Sequence, residues 1–446
     1  MKTWFLYIGW CFPMLLGAHG MYPQGELSDR PNIVILFCDD LGYGDLSGFG
    51  HPTIKTPNLD RMATEGMKFT SFYAASPKCS ASRYALLTGR LPARTGFPAV
   101  LGPRQDLGIH PSERTLSEGL KKAGYATAIF GKWHLGRNRE HLPLQNGFDE
   151  FTGLPYSNDM NSSERPLPLL QGNDTLALDP DQSQLTVLYT ERAVDFIQRK
   201  KGRPFFVYIP YTMPHVPLHP GKTFAGKSIR GTYGDVVEEI DWSAGVIMEA
   251  LTNLGLEKNT LVFFTSDNGP WLVKRERGGS AGLLRGGKGS TWEGGMRVPG
   301  IAWWPETVPK GHLAMEACNT MDLYVTALKL AGAALPEERR LDGRDIQAIL
   351  TREEEMPGPK PFFYYPPRGT VHAVRKGPWK LHVQIQGKEH LAYFKEEELP
   401  LLFNLDSDPS ETYNVAMAHP EVVQDLSYEL NTHTQHLKDE ITISYK

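Results

Sequence analysis

Cysteine is scarce in this chain, with four among 446 residues. Cys11 lies in a segment at the start of the chain that we expect to be removed, which leaves Cys38, Cys79 and Cys318. So sparse and odd a set excludes a fold framed by disulfide bonds. The chain is instead long enough, and at 40% hydrophobic residues apolar enough, to bury a large core.

An excess of basic charge is also lacking. Lysine and arginine total 47 against 51 acidic residues, a net charge of −4, so nucleic acid is not an expected partner. No apolar run reaches the ~20 residues that span a bilayer, and we therefore predict no membrane span. Partners have to be inferred from local sites.

The first twenty residues (1–20) have the pattern of a signal peptide. Lys2 supplies the positive end, an apolar run follows, and residues 18–20 have the small-x-small pattern of a cleavage site. We expect export, to the periplasm or the medium in a bacterium and to the lysosome or the extracellular space in a eukaryote. Asn161 and Asn173 begin triplets that accept glycans in a eukaryotic host.

Four short apolar runs predict buried strands of a parallel sheet, and three of them follow a helical pattern. The predicted strands are 32–38, 125–130, 205–209 and 260–265, and the predicted helices are 115–123, 187–197 and 241–254. Polar residues follow every one of these strands. Ligands of open parallel α/β sheets bind beyond the carboxyl ends of the strands, so we expect the polar residues to meet at one site.

The character of the chain changes near Pro336, where charged and proline-rich stretches indicate a connection. Beyond it we predict a hairpin at 370–375 and 379–383, a strand at 400–405 and a helix at 420–437. The prediction is therefore an α/β catalytic domain over 21–335 with a large, mostly parallel sheet between helices. A smaller α+β domain with an antiparallel sheet is predicted over 336–446.

Oxygen-bearing side chains follow two of the predicted strands. Asp39 and Asp40 follow the first strand, and Asp267 and Asn268 follow the fourth. Hard cations prefer such oxygen ligands. Each pair taken alone also fits a structural role, since Asp-Asp caps loops and Asp-Asn-Gly forms turns. A shared sheet edge favours the metal interpretation.

Two lysines and two histidines belong to the same predicted edge: Lys132, His134, His215 and Lys288. Together they could bind a tetrahedral oxyanion and move protons at its ester oxygen. A single histidine is more often structural, so this interpretation depends on the grouping.

Cys79 is predicted to start a helix that ends at Gly89. In that helix Arg83 follows Cys79 by one turn. A helix N-terminus lowers a thiol pKa and attracts anions, which makes a thiolate nucleophile one interpretation. A buried cysteine with no chemical role is the other.

Four motifs occur in an order that resembles the sulfatase family. Cys79-Ser80-Ala81-Ser82-Arg83 resembles the signature in which the cysteine is oxidised to formylglycine, and residues 124–134 resemble the second signature. The start, 31–45, and the tail segment, 405–414, match as well. The resemblance covers essentially the whole mature chain. It is closest to the group with arylsulfatase A, arylsulfatase G and N-acetylgalactosamine-6-sulfatase.

The resemblance implies an alkaline phosphatase-like fold, hydrolysis of sulfate esters, one calcium ion, and maturation of Cys79 by a formylglycine-generating enzyme. Matching positions assign calcium to Asp39, Asp40, Asp267, Asn268 and the converted residue 79, and sulfate to Arg83, Lys132, His134, Ser157, His215 and Lys288. The implied substrate is an aryl sulfate or a sulfated galactose or galactosamine in a glycan or glycolipid. Ala81 departs from the signature, where proline is commonest.

In the implied mechanism, an oxygen of the hydrated aldehyde at residue 79 attacks sulfur while Lys132 and Lys288 balance charge. His215 protonates the departing alcohol. With His134 as base, the second hydroxyl then expels sulfate. Two alternatives remain: a phosphate mono- or diester hydrolase with the same fold, and a non-catalytic glycan-binding homologue in which Cys79 stays a thiol.

Overall fold

The structure is a computed structural model that describes residues 30–353, 358–385, 394 and 398–440. The predicted signal peptide, 1–20, lies outside the described residues. Within them, no helix combines the length and the apolar character needed to cross a membrane.

Fifteen strands occur in the described part of the chain, and they include all the predicted ones. In chain order, β1 to β15 are Asn32–Cys38, Met67–Tyr73, Ala126–Phe130, Glu150–Gly153, Pro168–Gln171, Asp174–Leu178, Phe205–Pro210, Thr260–Ser266, Arg297–Trp303, His312–Ala314, Cys318–Asn319, Phe362–Tyr364, Ala373–Lys376, Trp379–His382 and Leu401–Asn404.

The described residues also form nine α-helices. In chain order, α1 to α9 are Pro57–Glu65, Cys79–Thr88, Leu116–Lys122, Leu185–Lys200, Thr232–Asn253, Glu293–Met296, Thr320–Leu330, Gln347–Thr351 and Pro420–Glu440. The helix predicted over 241–254 begins earlier, at Thr232. Its apolar face continues backwards because Val236, Val237 and Ile240 are all buried.

Eleven strands form one mixed sheet with the order β10-β2-β9-β8-β1-β7-β3-β4-β5-β6, and β11 also pairs with β2. β1 lies parallel to both β7 and β8, and β3 lies parallel to β7. The four strands predicted from sequence are therefore adjacent at the centre of the sheet. β9 runs antiparallel between β8 and β2.

Both faces of this sheet are buried, which explains the unbroken apolar pattern of β1. Ile33 and Ile35 face one core, which contains residues of α2, α3 and α7. Val34 and Leu36 face the other core, with residues of α1, α4 and α5. The carboxyl ends of the central strands are thus fixed between two packed layers.

A second, antiparallel sheet has the order β12-β13-β14-β15. Val374, Leu381 and Leu402 pack against Leu426 and Leu430 of α9 on one side of it. β12 and β13 contact the large sheet region, where Phe362, Tyr364 and Ala373 meet Tyr73 and Met321. The small sheet thus lies against the region that holds the site; a domain boundary at 335/336 stays a prediction.

Candidate active site

The polar residues that follow the four central strands meet in one buried cluster, as predicted. Lys132, after β3, donates to Asp39, after β1. The backbone N–H of Asp40 donates to Asp267, after β8, at 3.1 Å. His215, after β7, lies with Nε2 at 3.6 Å from Asp40 Oδ2.

Asp40 is surrounded by donors from three parts of the chain. Lys288 Nζ lies 2.7 Å from Oδ1 and donates to Oδ2 at 2.8 Å. Asn268 Nδ2 donates to Oδ1 at 2.8 Å. Asp40 itself has a positive φ of 67°, in the left-handed region that aspartate adopts more readily than most non-glycine residues. Because its N–H donates to Asp267, the cluster constrains its backbone as well as its side chain.

Helix α2 brings Cys79 and Arg83 to the cluster. It starts at Cys79 and ends at Gly89, whose left-handed φ of 69° lets its N–H donate to the Ala85 carbonyl. Arg83 donates from Nε and a terminal nitrogen to Asp267 Oδ2, at 3.1 and 2.8 Å, and to the Lys132 carbonyl at 2.9 Å. Arg83 thus positions Asp267 through a buried two-pronged ion pair.

The Cys79 thiol does not have the lowered pKa that its helix position predicted. Burial raises its pKa, and the opposing charges of Lys132 and Lys288 do not compensate. That prediction was wrong because only 3% of Cys79 is exposed, and the loss of solvation outweighs nearby positive charge. The structure therefore does not favour an unmodified thiolate nucleophile.

His134 has a defined tautomer. Its Nε2 donates to the Leu101 carbonyl at 2.9 Å, since a carbonyl can only accept. Nδ1 then carries the lone pair, and this buried atom has no hydrogen-bond partner among the described residues. Burial, followed by the charge of Lys132, lowers the His134 pKa well below its ordinary value. His134 is therefore a neutral imidazole with a free basic nitrogen.

His215 is oriented differently. Its Nδ1 donates to the Val216 carbonyl at 2.6 Å, which turns Nε2 towards Asp40. The Trp271 ring packs against it with centroids 5.4 Å apart, and Lys288 Nζ lies 4.6 Å from the centroid of that indole. Trp271 was not identified from sequence because no motif marks it.

A short segment, 97–101, holds the Leu101 carbonyl in place. The Leu101 N–H donates to Ser80 Oγ at 3.0 Å, and the Ala81 N–H donates to the Ala99 carbonyl at 3.2 Å. Proline at position 81 would lack this donor. The alanine that departs from the family pattern thus makes a contact that proline could not make, and no sequence signal indicated it.

Ser157 lies beside the cluster and accepts a hydrogen bond from Lys132 Nζ at 3.1 Å. All the site residues named from sequence are therefore found around one point of the sheet edge. Their individual roles stay predictions.

The acidic residues suit a hard cation. Two buried oxygens, Asp39 Oδ1 and Asn268 Oδ1, have no hydrogen-bond partner among the described residues. Ligand atoms of Asp39, Cys79 and Asp267 lie within 4.8 Å of one another. Buried oxygens without partners are costly unless something binds them, and carboxylate and amide oxygens are ligands that calcium prefers. The donor set therefore fits a calcium ion.

Comparisons with known proteins agree with this geometry. The sulfatase family model matches residues 31–333, and a model of the C-terminal region of aryl-sulfatase matches residues 358–444. The chain is 40% identical to N-acetylgalactosamine-6-sulfatase of Mus musculus, over 95% of this chain and 89% of that protein. It is 42% identical to arylsulfatase A of Homo sapiens, over 89% and 86%.

Among solved structures, the PsFucS1 sulfatase from Pseudoalteromonas sp. is similar with a TM-score of 0.84 and 28% identity. The likeness covers 94% of this chain and 92% of that one. The family models together span both sheets described above. With its buried carboxylate, lysine and histidine cluster at the centre of an alkaline phosphatase-like sheet, the chain belongs to the sulfatase family and is a sulfuric ester hydrolase.

Proposed function

We propose that this enzyme removes sulfate from galactose- or galactosamine-containing glycans or glycolipids after Cys79 has been converted to formylglycine. The main support is the buried cluster itself, in which three carboxylates, three cations and two histidines from separate elements surround residue 79. The similarity to N-acetylgalactosamine-6-sulfatase and arylsulfatase A supports the sugar class. Maturation would require a formylglycine-generating enzyme, and the segment 1–20 would direct export.

Asp39, Asp40, Asp267 and Asn268 would hold a calcium ion. When bound, calcium would supply positive charge that favours an ionised oxygen on residue 79. Arg83 fixes the orientation of Asp267 for this role through its ion pair at 2.8 Å. Burial opposes ionisation of Asp39, but Lys132, His215 and Arg83 hold its pKa below the ordinary range. Asp39 therefore stays a carboxylate that can bind a cation.

The lysines and histidines of the cluster would have different roles in cleavage of the ester. Lys132 and Lys288 place ammonium groups in the cluster, where they can balance charge on the sulfate oxygens. His215 would give a proton to the departing alcohol oxygen from Nε2 when its ring is doubly protonated, since Nδ1 already carries the hydrogen that it donates to the Val216 carbonyl. His134 would take a proton at its free Nδ1 when residue 79 releases sulfate. The backbone contacts of the two histidines leave opposite ring nitrogens available, Nδ1 of His134 and Nε2 of His215.

The test is a comparison of the sulfate and phosphate esters of one phenol. We expect the matured enzyme to release phenol faster from the sulfate ester, to lose this activity after chelation, and to regain it with calcium. Faster hydrolysis of the phosphate ester would contradict the proposal and favour the phosphoesterase alternative. Binding of sulfated glycan without hydrolysis of either ester would favour the glycan-binding alternative.

A further inference from the structure

A cavity of 580 Å³ lies beside the N-terminus of α2 and is formed by both sheet regions of the molecule. Its walls come from three segments: the start of α2 with the residues before it, the loop around 92–105, and residues 365–369 of the C-terminal region. The volume is within the range of about 300 to 1,000 Å³ that protein sites for small organic ligands occupy. None of the residues to which we assign the sulfate above lines this cavity.

Lys78 connects the cavity to the proposed sulfate site. It lines the cavity, and it also directly precedes Cys79 as the cap of α2. Its ammonium group lies beside Gly289, the residue that follows Lys288. A Cβ atom built on Gly289 would be 3.5 Å from Lys78 Nζ. A ligand whose sulfate lies between Lys132 and Lys288 could therefore continue past Lys78 into the cavity.

The charged side chains that line the cavity are all positive. The lining contains two cationic side chains, Lys78 and Arg368, and no carboxylate among the described residues that form it. Arg368 is exposed, and no hydrogen bond or ion pair joins its side chain to another described residue. Two cations without acidic partners in a concave site favour an anionic ligand.

The rest of the lining suits a sugar. Apolar rings are contributed by prolines on both sides, by Phe97 and by Tyr365, and Ser76 and Gln105 add neutral polar groups. A pyranose has apolar C–H faces and a rim of hydroxyl groups, so it needs both kinds of surface. Uncharged sugars would leave the two cations without a partner.

We infer that this cavity binds a sugar next to the one whose ester is cleaved, and that Lys78 and Arg368 recognise a second anionic group on that sugar. The substrate is then an acidic oligosaccharide whose second anion is a uronate carboxylate or another sulfate. This inference rests on the proposed function for the position of the first sulfate. It assigns specificity, rather than chemistry, to the C-terminal region.

The test compares three disaccharides that share one sulfated galactosamine: one with a neutral neighbour, one with a uronate neighbour and one with a sulfated neighbour. Binding to Arg368→Ala is measured by calorimetry in the Cys79→Ala background, which has no nucleophile at residue 79 and so cannot react with the sulfate. We expect about ten-fold weaker binding of at least one acidic disaccharide, because a hydrogen-bonded charge is lost. Binding of the neutral disaccharide should not change.

Arg61→Ala is the matched control, since Arg61 is an exposed arginine on α1 that does not line the cavity. It should bind all three disaccharides as the parent does. Equal affinity of the Arg368→Ala variant and its parent for both acidic disaccharides would overturn the inference. Failure of the proposed function gives a different result, namely no sulfate release by the matured enzyme from any ester, whereas the binding comparison needs no turnover.

Discussion

Cys79→Ser is expected to lower sustained sulfate release by at least about 10³-fold, the scale on which loss of a nucleophile acts. A serine oxygen can attack sulfur, but it lacks the second hydroxyl with which an aldehyde hydrate could expel sulfate. The variant should release at most one equivalent of phenol from an aryl sulfate. Phenol and sulfate counted over many enzyme equivalents give the measurement.

Cys318→Ala provides the control for Cys79→Ser. Cys318 is also buried, but it lies in β11, away from the site cluster. Its replacement should leave kcat near that of the parent enzyme. Continued turnover by the Cys79→Ser variant, many equivalents beyond the first, would contradict the two-hydroxyl mechanism.

Lys380→Met is expected to destabilise the protein by about 3 to 5 kcal/mol, because it removes the buried cation that two buried carboxylates share. Lys380 Nζ lies 3.0 Å from Glu293 and 2.8 Å from Glu411, and none of these three side chains is exposed. Glu293 belongs to α6 beside the large sheet, whereas Lys380 belongs to β14. The ion network therefore joins the two sheet regions, and unfolding in urea measures its loss.

Lowering the pH should reduce the destabilisation that Lys380→Met causes. Burial opposes ionisation of Glu293, but Lys380, Arg297 and Arg375 outweigh it and lower its pKa to about 2. A depressed carboxyl pKa stabilises the fold above the unfolded value of 4.5, and this contribution is lost as pH falls from 4.5 towards 2. Protonation also relieves the buried charge in the variant, so the difference between variant and parent should shrink in that range.

The control for Lys380→Met is Lys376→Met on the neighbouring strand. Lys376 pairs with Asp425 and Glu429 at a site where 29% of its side chain is exposed. Such surface pairs contribute about 0 to 1 kcal/mol. A loss of similar size from both variants would show that the buried network does not stabilise the contact between the sheet regions.

The sequence predicted the centre of this fold well because the central strands are buried on both faces. Their apolar runs are continuous, and a polar residue at the end of such a run marks the strand exit. The sequence of a single strand does not show which strands are its neighbours. Ligands of parallel sheets bind beyond the carboxyl ends of the strands, however, and this rule placed Asp39, Lys132, His215 and Asp267 together. The structure confirms that convergence.

Contacts between distant loops were not predictable in the same way. The link from Ser80 and Ala81 through the segment 97–101 to His134 uses backbone N–H and carbonyl groups, which no residue pattern encodes. The Glu293 and Lys380 pair joins residues far apart in sequence within different sheets. The Cys79 pKa was mispredicted because the local helix position is visible in sequence, whereas the depth of burial is not.

Peptide mass spectrometry of residue 79, in enzyme purified from its own host and assayed for sulfate release, tests the central claim most directly. The account predicts that the peptide is about 18 Da lighter than its cysteine form, as oxidation of the thiol to an aldehyde requires. Activity should rise in proportion to the converted fraction. Fully active enzyme in which Cys79 remains an unmodified thiol would contradict the account.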